Sequence, residues 1–239
     1  MTIVISMWSG PRNISTTMMR SFANREDTVA VDEPLYGYYL QQSGAAHPYR
    51  DETLSAWPTT YESAVEWMNA PRGKPLTFLK QIAYHLPSEA ELSFIVPHKN
   101  FLLIRDPRKM VASFASKYDD AAPIIESYAV ERRIFNYLAA RGIACPVVDA
   151  ADILAAPETM LRKLCSMLEI AFDKAMLAWP AGARPEDGPW AAHWYDAVTS
   201  STGFRTPVEK SVDLSPELEA IADTALADYC ALHEKRLTA

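Results

Sequence analysis

No apolar run in this chain approaches the roughly 20 residues a membrane-spanning helix needs. The opening, MTIVISMWSGPR, has no basic stretch ahead of its apolar one, as a secretory leader would. These absences predict a cytoplasmic protein that neither spans nor coats a membrane. Cysteine is sparse: Cys145, Cys165 and Cys230 are odd in number and widely spaced, with no pair at metal-ligand or redox spacing. Neither a disulfide framework nor a cysteine metal site is expected. Basic residues are outnumbered, with 23 Lys and Arg against 30 Asp and Glu, a net charge of -7. Nucleic acid and anionic membranes call for a concentrated basic face, so neither is expected as the main partner. Internal repeats and low-complexity tracts are also absent.

What remains is an ordinary globular composition, 49% apolar and 22% charged over 239 residues. The length suits one sizeable core and nothing marks a second, so residues 1–239 are read as a single domain. Short β-rich runs alternate with helical ones, the pattern of a parallel sheet covered on both faces. The expected fold is therefore α/β, a three-layer P-loop-type sheet with helices on both faces. Strands are expected at IVISMW, TVAVDE, PLTFLKQIA, NFLLIRDP and CPVVDAADI, each a continuous apolar run of the kind buried on both sides. Helices are expected from Ser15 to Ala23, after Asp106-Pro107, over ESYAVERRIFNYLAARG with its terminal glycine, over PETMLRKLCSMLEI, and after Ser215-Pro216. Ser88 and Glu91 have capping-box spacing for a shorter helix. Pro34 to Pro75 and Trp179 to Pro207 read as long irregular segments, the usual form of a lid or binding loop.

The first strand runs into SGPRNISTTMMRSF. Counted from Gly10, four residues precede Ser15-Thr16-Thr17, the spacing of a phosphate-binding loop with serine for its second glycine and threonine for its lysine. Such a loop aims backbone N–H groups and the positive end of a helix dipole into one concavity. Gly10, Arg12, Asn13, Ile14, Ser15, Thr16 and Thr17 are the candidate anion binders, with Arg12 supplying charge and the two threonines hydroxyls. The same Ser-Thr-Thr run would also serve as a plain helix cap. ATP-using loops need the lysine, with Mg²⁺ and a downstream Asp, to neutralise a transferring phosphate. A phosphosulfate carries less charge on its transferring group, so a loop with threonine, a nearby cation and no metal suffices for sulfuryl transfer.

Ligands of open parallel sheets bind beyond the carboxyl ends of the strands. Those ends carry Asp32 and Glu33 after the second strand, Lys80 near the end of the third and Arg105 at the end of the fourth. Two cations and a phosphate loop on one rim make an anion site with a carboxylate beside it.

SGPRNISTTMMRSF followed by FLLIRDPRKMVASF resembles the sulfotransferases that use 3'-phosphoadenosine 5'-phosphosulfate. The first stretch looks like their 5'-phosphosulfate loop and the second like their 3'-phosphate motif, in which a strand-final Arg and a Ser eight positions on grip the 3'-phosphate. Arg105 and Ser113 keep that spacing, and the resemblance covers about the first half of the chain. It implies 3'-phosphoadenosine 5'-phosphosulfate as co-substrate, 3'-phosphoadenosine 5'-phosphate as product, a small-molecule acceptor with a hydroxyl or amine, and in-line attack without metal. Two departures stand out: one extra residue lies between Arg12 and the threonine pair, and Ser15 replaces a glycine where a left-handed backbone would strain a side chain.

On the acceptor side Glu33 resembles the glutamate base of the bacterial and Golgi-type branches, with His85 as second candidate and Lys80 as electrostatic stabiliser. Tyr36, Tyr38, Tyr39, Tyr49, Trp57, Tyr61 and Trp67 crowd the first irregular segment, as an acceptor pocket or as a core under a long loop. WYDAVTSSTGFR stands where the family's later loop covers the nucleotide, which implicates Thr202, Gly203 and Arg205, although the usual Arg-Lys-Gly is missing. Arg108 and Lys109 oppose the dipole of their helix, so they either meet an anion or face solvent. Two rival readings are a P-loop kinase with a degenerate loop, using Asp32 or Asp149 for metal, and a nucleotide-binding protein without activity.

Overall fold

A computed structural model describes residues 2–115, 122–206 and 212–239. In chain order it runs β1 (Ile3–Ser9), α1 (Ser15–Ala23), β2 (Thr28–Asp32), α2 (Tyr36–Ser43), α3 (Arg50–Ala56), α4 (Tyr61–Asn69), β3 (Leu76–Ile82), β4 (Lys99–Ile104) and α5 (Pro107–Ala115). It continues with α6 (Ala122–Ala139), β5 (Val147–Asp149), α7 (Ala150–Ala155), α8 (Pro157–Met167), α9 (Ala191–Trp194), α10 (Asp196–Thr199) and α11 (Pro216–His233). Five strands form one sheet in the order β2-β3-β1-β4-β5, every neighbouring pair parallel. This is the expected three-layer arrangement, and the alternation of side chains explains it. Ile5, Met7, Phe78, Phe101 and Leu103 pack on one face against α1 and α8. Trp8, Leu79, Leu102 and Ile104 pack on the other against α6. Both faces are buried, so the strands read as near-continuous apolar runs.

The strand order places β1 in the middle, with β3 and β4 on either side. The chain leaves β1 toward β2 at one edge and leaves β4 toward β5 at the other, which opens a crevice at the carboxyl ends of these two neighbours. Asp32 and Met7 both lie in register with Lys80, so β2, β3 and β1 reach the crevice at one level.

Several expectations change. Pro34 to Pro75 is not irregular: it carries α2, α3 and α4, each of nine residues or fewer. The helices are short, and half-buried aromatics in and between them pair edge to face, as Trp57–Trp67 and Tyr38–Tyr61, while Tyr61, Ala64, Val65 and Met68 turn one side of α4 to the core. The capping box at Ser88 and Glu91 opens no helix. The Ser88 hydroxyl turns to Glu89, Tyr61 donates to the Glu91 carbonyl, and Arg133 takes the carbonyls of Pro87, Ser88 and Ala90. Side chains from elsewhere thus hold the acceptors a helix would use. The fifth strand stops at Asp149, whose carboxylate accepts from the Ala151 N–H at 2.7 Å and starts α7, so Ala150 to Ile153 is helical. After α6 the chain turns at Gly142, with φ of 66°, as its expected role as terminal glycine requires.

The Trp179 to Pro207 segment, described as far as Thr206, holds only the one-turn helices α9 and α10, yet it is tightly anchored. Arg20 of α1 is fully buried and donates to both carboxylate oxygens of Asp187, at 2.5 and 2.7 Å. Burial lowers the Arg20 pKa, but Asp187 and Glu186 outweigh it and leave the guanidinium more basic than usual. Cutting this fork leaves a buried carboxylate unpaired. Arg20→Met is expected to lower unfolding free energy by about 3 to 5 kcal/mol, read from urea denaturation; a change under about 1 kcal/mol would show that the segment is held by other contacts.

Candidate active site

A cavity of about 380 Å³ opens at the carboxyl ends of β1 to β4. Its floor is the β1-α1 loop. Asn13 is buried and its amide donates to the Leu103 carbonyl of β4, tying the loop to the sheet. The left-handed residues of this loop are Arg12 (φ 59°) and Ile14 (φ 47°), while Ser15 is the first helical residue. The inserted residue therefore sends the loop along another path, and the strain expected at Ser15 falls on its neighbours. Ile14 occupies the cap position, and no side chain caps α1. The plain-cap alternative for the Ser-Thr-Thr run fails on that point. The first turn of α1, Ser15, Thr16 and Thr17, lines the cavity, and its N–H groups have no partner within the helix.

At the β4 side, Arg105 donates to the Arg12 carbonyl at 2.6 Å, and Arg12 Nε donates to the Ser113 hydroxyl at 3.3 Å. The Arg105 carbonyl accepts from Tyr128, which anchors the residue from α6. Burial lowers the Arg105 pKa, and the charge of Arg12 adds to that. Among the described residues, neither guanidinium has a carboxylate within ion-pair distance. Arg108 behaves differently: it pairs with Glu219 of α11, away from the cavity, and Lys109 is exposed.

At the β2 and β3 side the Lys80 ammonium is buried and all three of its protons are used. It donates to Asp32 Oδ1 at 2.8 Å, to Glu33 Oε1 and to the Tyr195 hydroxyl at 2.7 Å. Tyr195 in turn donates to Asp32 Oδ2 at 2.7 Å, where the Gly188 N–H also arrives at 3.2 Å. Burial works against the Lys80 charge, but Asp32 and Glu33 override it and hold its pKa well above the ordinary value. Glu33 follows directly after β2 with φ of 43°. Burial pushes its carboxyl up to about 7, against the opposing pull of Lys80 and with a further upward push from Asp32.

His85 stands 3.8 Å from Glu33 Oε2. This is not an ion pair, because burial, then His47 and Lys80, drive the His85 pKa well below its usual value and leave the ring neutral. Neither ring nitrogen of His85 has a hydrogen-bond partner among the described residues.

Thirteen of the fifteen sequence-predicted residues therefore line one cavity. Gly10 and Thr202 do not. Gly10 is outside the lining, and a Cβ there would come within 2.5 Å of the Met110 Cε, the movable end of that side chain. The Thr202 carbonyl accepts from the Trp179 N–H at 3.1 Å, and its side chain is outside the lining. Sequence reasoning missed Tyr195, Trp190 and His47, all on the cavity wall. The run WAAHWY, dense in aromatics within an otherwise small and polar segment, was the available signal.

The model of the sulfotransferase domain matches residues 1–235. The chain belongs to the sulfotransferase family. It is 41% identical over 210 residues to the branched-chain-amino-acid aminotransferase-like protein 1 of Arabidopsis thaliana, covering 85% of this chain but only 37% of that relative. The chain thus spans little more than a third of that protein. Among solved structures, the sulfotransferase from Alicyclobacillus acidocaldarius is similar at TM-score 0.58 and 12% identity, over 99% of this chain and 98% of that one. The sulfotransferase domain of the Synechococcus PCC 7002 olefin synthase is similar at TM-score 0.54 and 16% identity, over 93% and 94% of the two chains. Both share the sulfotransferase-family fold with this chain. No helix among the described residues is long and apolar enough to cross a membrane.

Glu33 gives this site a pH signature. Its folded pKa lies above the unfolded carboxylate value, so ionising it costs more in the native state, and that cost grows as pH rises from about 4.5 to about 7. Over that interval the protein should lose up to about 3 kcal/mol of stability relative to Glu33→Gln. Chemical denaturation of both proteins across the range checks this, and parallel profiles would contradict it.

Proposed function

We propose that this sulfotransferase-family chain acts as one catalytic domain that moves a sulfuryl group from 3'-phosphoadenosine 5'-phosphosulfate to a hydroxyl or amine of a small acceptor. The observation that carries this reading is the pairing of Arg12 and Arg105, two guanidiniums without carboxylate partners among the described residues, with Ser113, beside a helix N-terminus that no side chain caps. An anion with two separated phosphate groups fits both halves. The 5' end would take the first-turn N–H groups of α1 with Thr16 and Thr17. The 3'-phosphate would take Arg105, Ser113 and Arg12. Because Arg12 reaches toward Ser113, its charge supports the 3' side, and the loop lysine has no direct substitute. Gly203 and Arg205, which line the cavity, would cover the nucleotide.

In the reaction, the acceptor oxygen or nitrogen forms a bond to sulfur as the sulfur bond to the bridging phosphate oxygen breaks. The electron pair leaves with 3'-phosphoadenosine 5'-phosphate. Glu33 takes the acceptor's proton, and its value near 7 suits a base working near neutrality. Lys80 orients Glu33 and offsets its charge; direct donation to the transferring group would require it to leave one of its three partners. The kinase reading is less well supported, since the carboxylates it needs for metal are committed. Asp32 serves Lys80, Tyr195 and Gly188, and Asp149 caps α7 and accepts from Tyr229.

Titration calorimetry without metal should show tight binding of 3'-phosphoadenosine 5'-phosphate and weak binding of 5'-AMP and ADP. Arg105→Ala should weaken the former about 10- to 100-fold. Preference for ATP with Mg²⁺ would overturn the assignment. With donor and a turned-over acceptor, Glu33→Gln should lower kcat by about 10²- to 10⁴-fold, whereas an unchanged kcat would remove Glu33 from the base role.

A further inference from the structure

Helix α6 stands behind the start of the β1-α1 loop and carries a carboxyl group that none of the chemistry above uses. Tyr128 of this helix donates to the Arg105 carbonyl. Ser127 is buried, and a Cβ at Gly10, where the chain leaves β1, would lie 3.4 Å from the Ser127 Cβ. Glu131 follows one turn later on the same side of the helix, in line with Ile134 and Leu138, which pack against the sheet. It is 1% exposed.

No basic side chain lies within ion-pair distance of Glu131 among the described residues, and its Oε1 has no hydrogen-bond partner there. Burial drives the carboxyl pKa well above its ordinary value, opposed only by a hydrogen bond from the Gly10 backbone. The titratable groups that feel Glu131 are Tyr128 on the same helix and Cys145 ahead of β5. Burial raises the Tyr128 phenol and takes the Cys145 thiol up to about 12, so neither is charged near neutrality. A carboxylate buried without a cation costs far more than the neutral acid, so Glu131 keeps its proton. An apolar residue of similar size would fill this place without an unpartnered oxygen. What the carboxyl supplies in its stead is the hydrogen bond to the loop.

The loop needs such support. Arg12 and Ile14 hold left-handed backbone, a strained path that persists only where the surroundings impose it. Asn13 fixes the middle of that path through the Leu103 carbonyl. We propose that Glu131 is a positioning residue for anion binding, an uncharged acid that fixes the Gly10 backbone from behind and thereby aims the first-turn N–H groups of α1 at the ligand's phosphate. This rests on the donor reading of the loop and adds to it a residue outside the cavity. Lack of charge is part of the role, because an ionised glutamate at that depth would repel the anion in front of it.

Titration calorimetry of the full chain with 3'-phosphoadenosine 5'-phosphate, and with pyrophosphate as a probe of the loop alone, tests this. Glu131→Leu keeps the bulk and loses the hydrogen bond. Glu131→Asp keeps the acid and shortens its reach, and Glu131→Gln keeps the length and an acceptor oxygen. The Leu and Asp variants should each bind both ligands at least about 5-fold more weakly, and the Gln variant should recover most of that loss. Cooperative thermal unfolding reports that each variant is folded, and Glu131→Asp, the milder change, decides the matter where Glu131→Leu does not fold. Unchanged affinity in either folded variant, or a Gln variant as weak as the Leu one, would overturn the proposal. So would a Gln variant that binds at least about 5-fold more tightly than the unaltered chain, since that would reveal an ionised Glu131. Pyrophosphate binding that depends on Glu131 without any binding of the nucleotide would sink the sulfuryl-donor reading and leave Glu131 in its role. Tight nucleotide binding indifferent to Glu131 would do the reverse, and an unaltered chain that binds neither anion would end both.

Discussion

The Lys80 ammonium is buried at the carboxyl end of β3, and a buried charge persists only when it is fully paired. Its three protons go to Asp32 and Glu33 at the end of β2 and to Tyr195 in the segment after Trp179. One group thus joins two neighbouring strands to a stretch of chain more than a hundred residues away. Tyr195 closes the set by donating to Asp32, and Trp190 Nε1 donates to the same hydroxyl at 3.2 Å. The pairing also explains the chemistry available at Glu33. Its carboxyl is held by a cation yet kept from water, and its pKa rises to about 7 because burial outweighs the ion pair.

The other half of the cavity follows a different logic. Among the described residues, the arginines on the β4 side are satisfied by backbone carbonyl and hydroxyl groups and not by carboxylates. Two like charges near each other, beside an uncapped helix start, raise the positive potential of one rim in a protein whose overall charge is -7. An acidic chain can therefore carry a cationic rim, because local arrangement and not net charge sets the field at the site. The charge-balanced side and the cationic side meet at β1, where the sheet order reverses direction.

How much of this was legible in the sequence depends on the distance over which each contact acts. The loop, Arg105 and Ser113 are set by local spacing along a strand, a turn and one helix face, and the structure brings them together as the spacing implied. Glu33 and Lys80 were legible as strand ends, since β2 and β3 end at one level. Tyr195, Trp190 and the Arg20–Asp187 fork were not, because each joins residues far apart in sequence through a segment with no periodicity. The helices α2 to α4 were hidden because each spans nine residues or fewer, two turns or so, too short for an apolar stripe such as Tyr61, Ala64, Val65 and Met68 to stand out among the prolines and aromatics around it. Ser88 and Glu91 show the converse, a sound local signal overridden by Arg133 and Tyr61 arriving from elsewhere.

A crystal structure of the chain with 3'-phosphoadenosine 5'-phosphate tests the central claim most directly. The account predicts the 3'-phosphate within hydrogen-bond distance of Arg105 and the Ser113 hydroxyl, and the 5'-phosphate on the first-turn N–H groups of α1. A nucleotide bound in the opposite direction, or seated away from the β1-α1 loop, would contradict it.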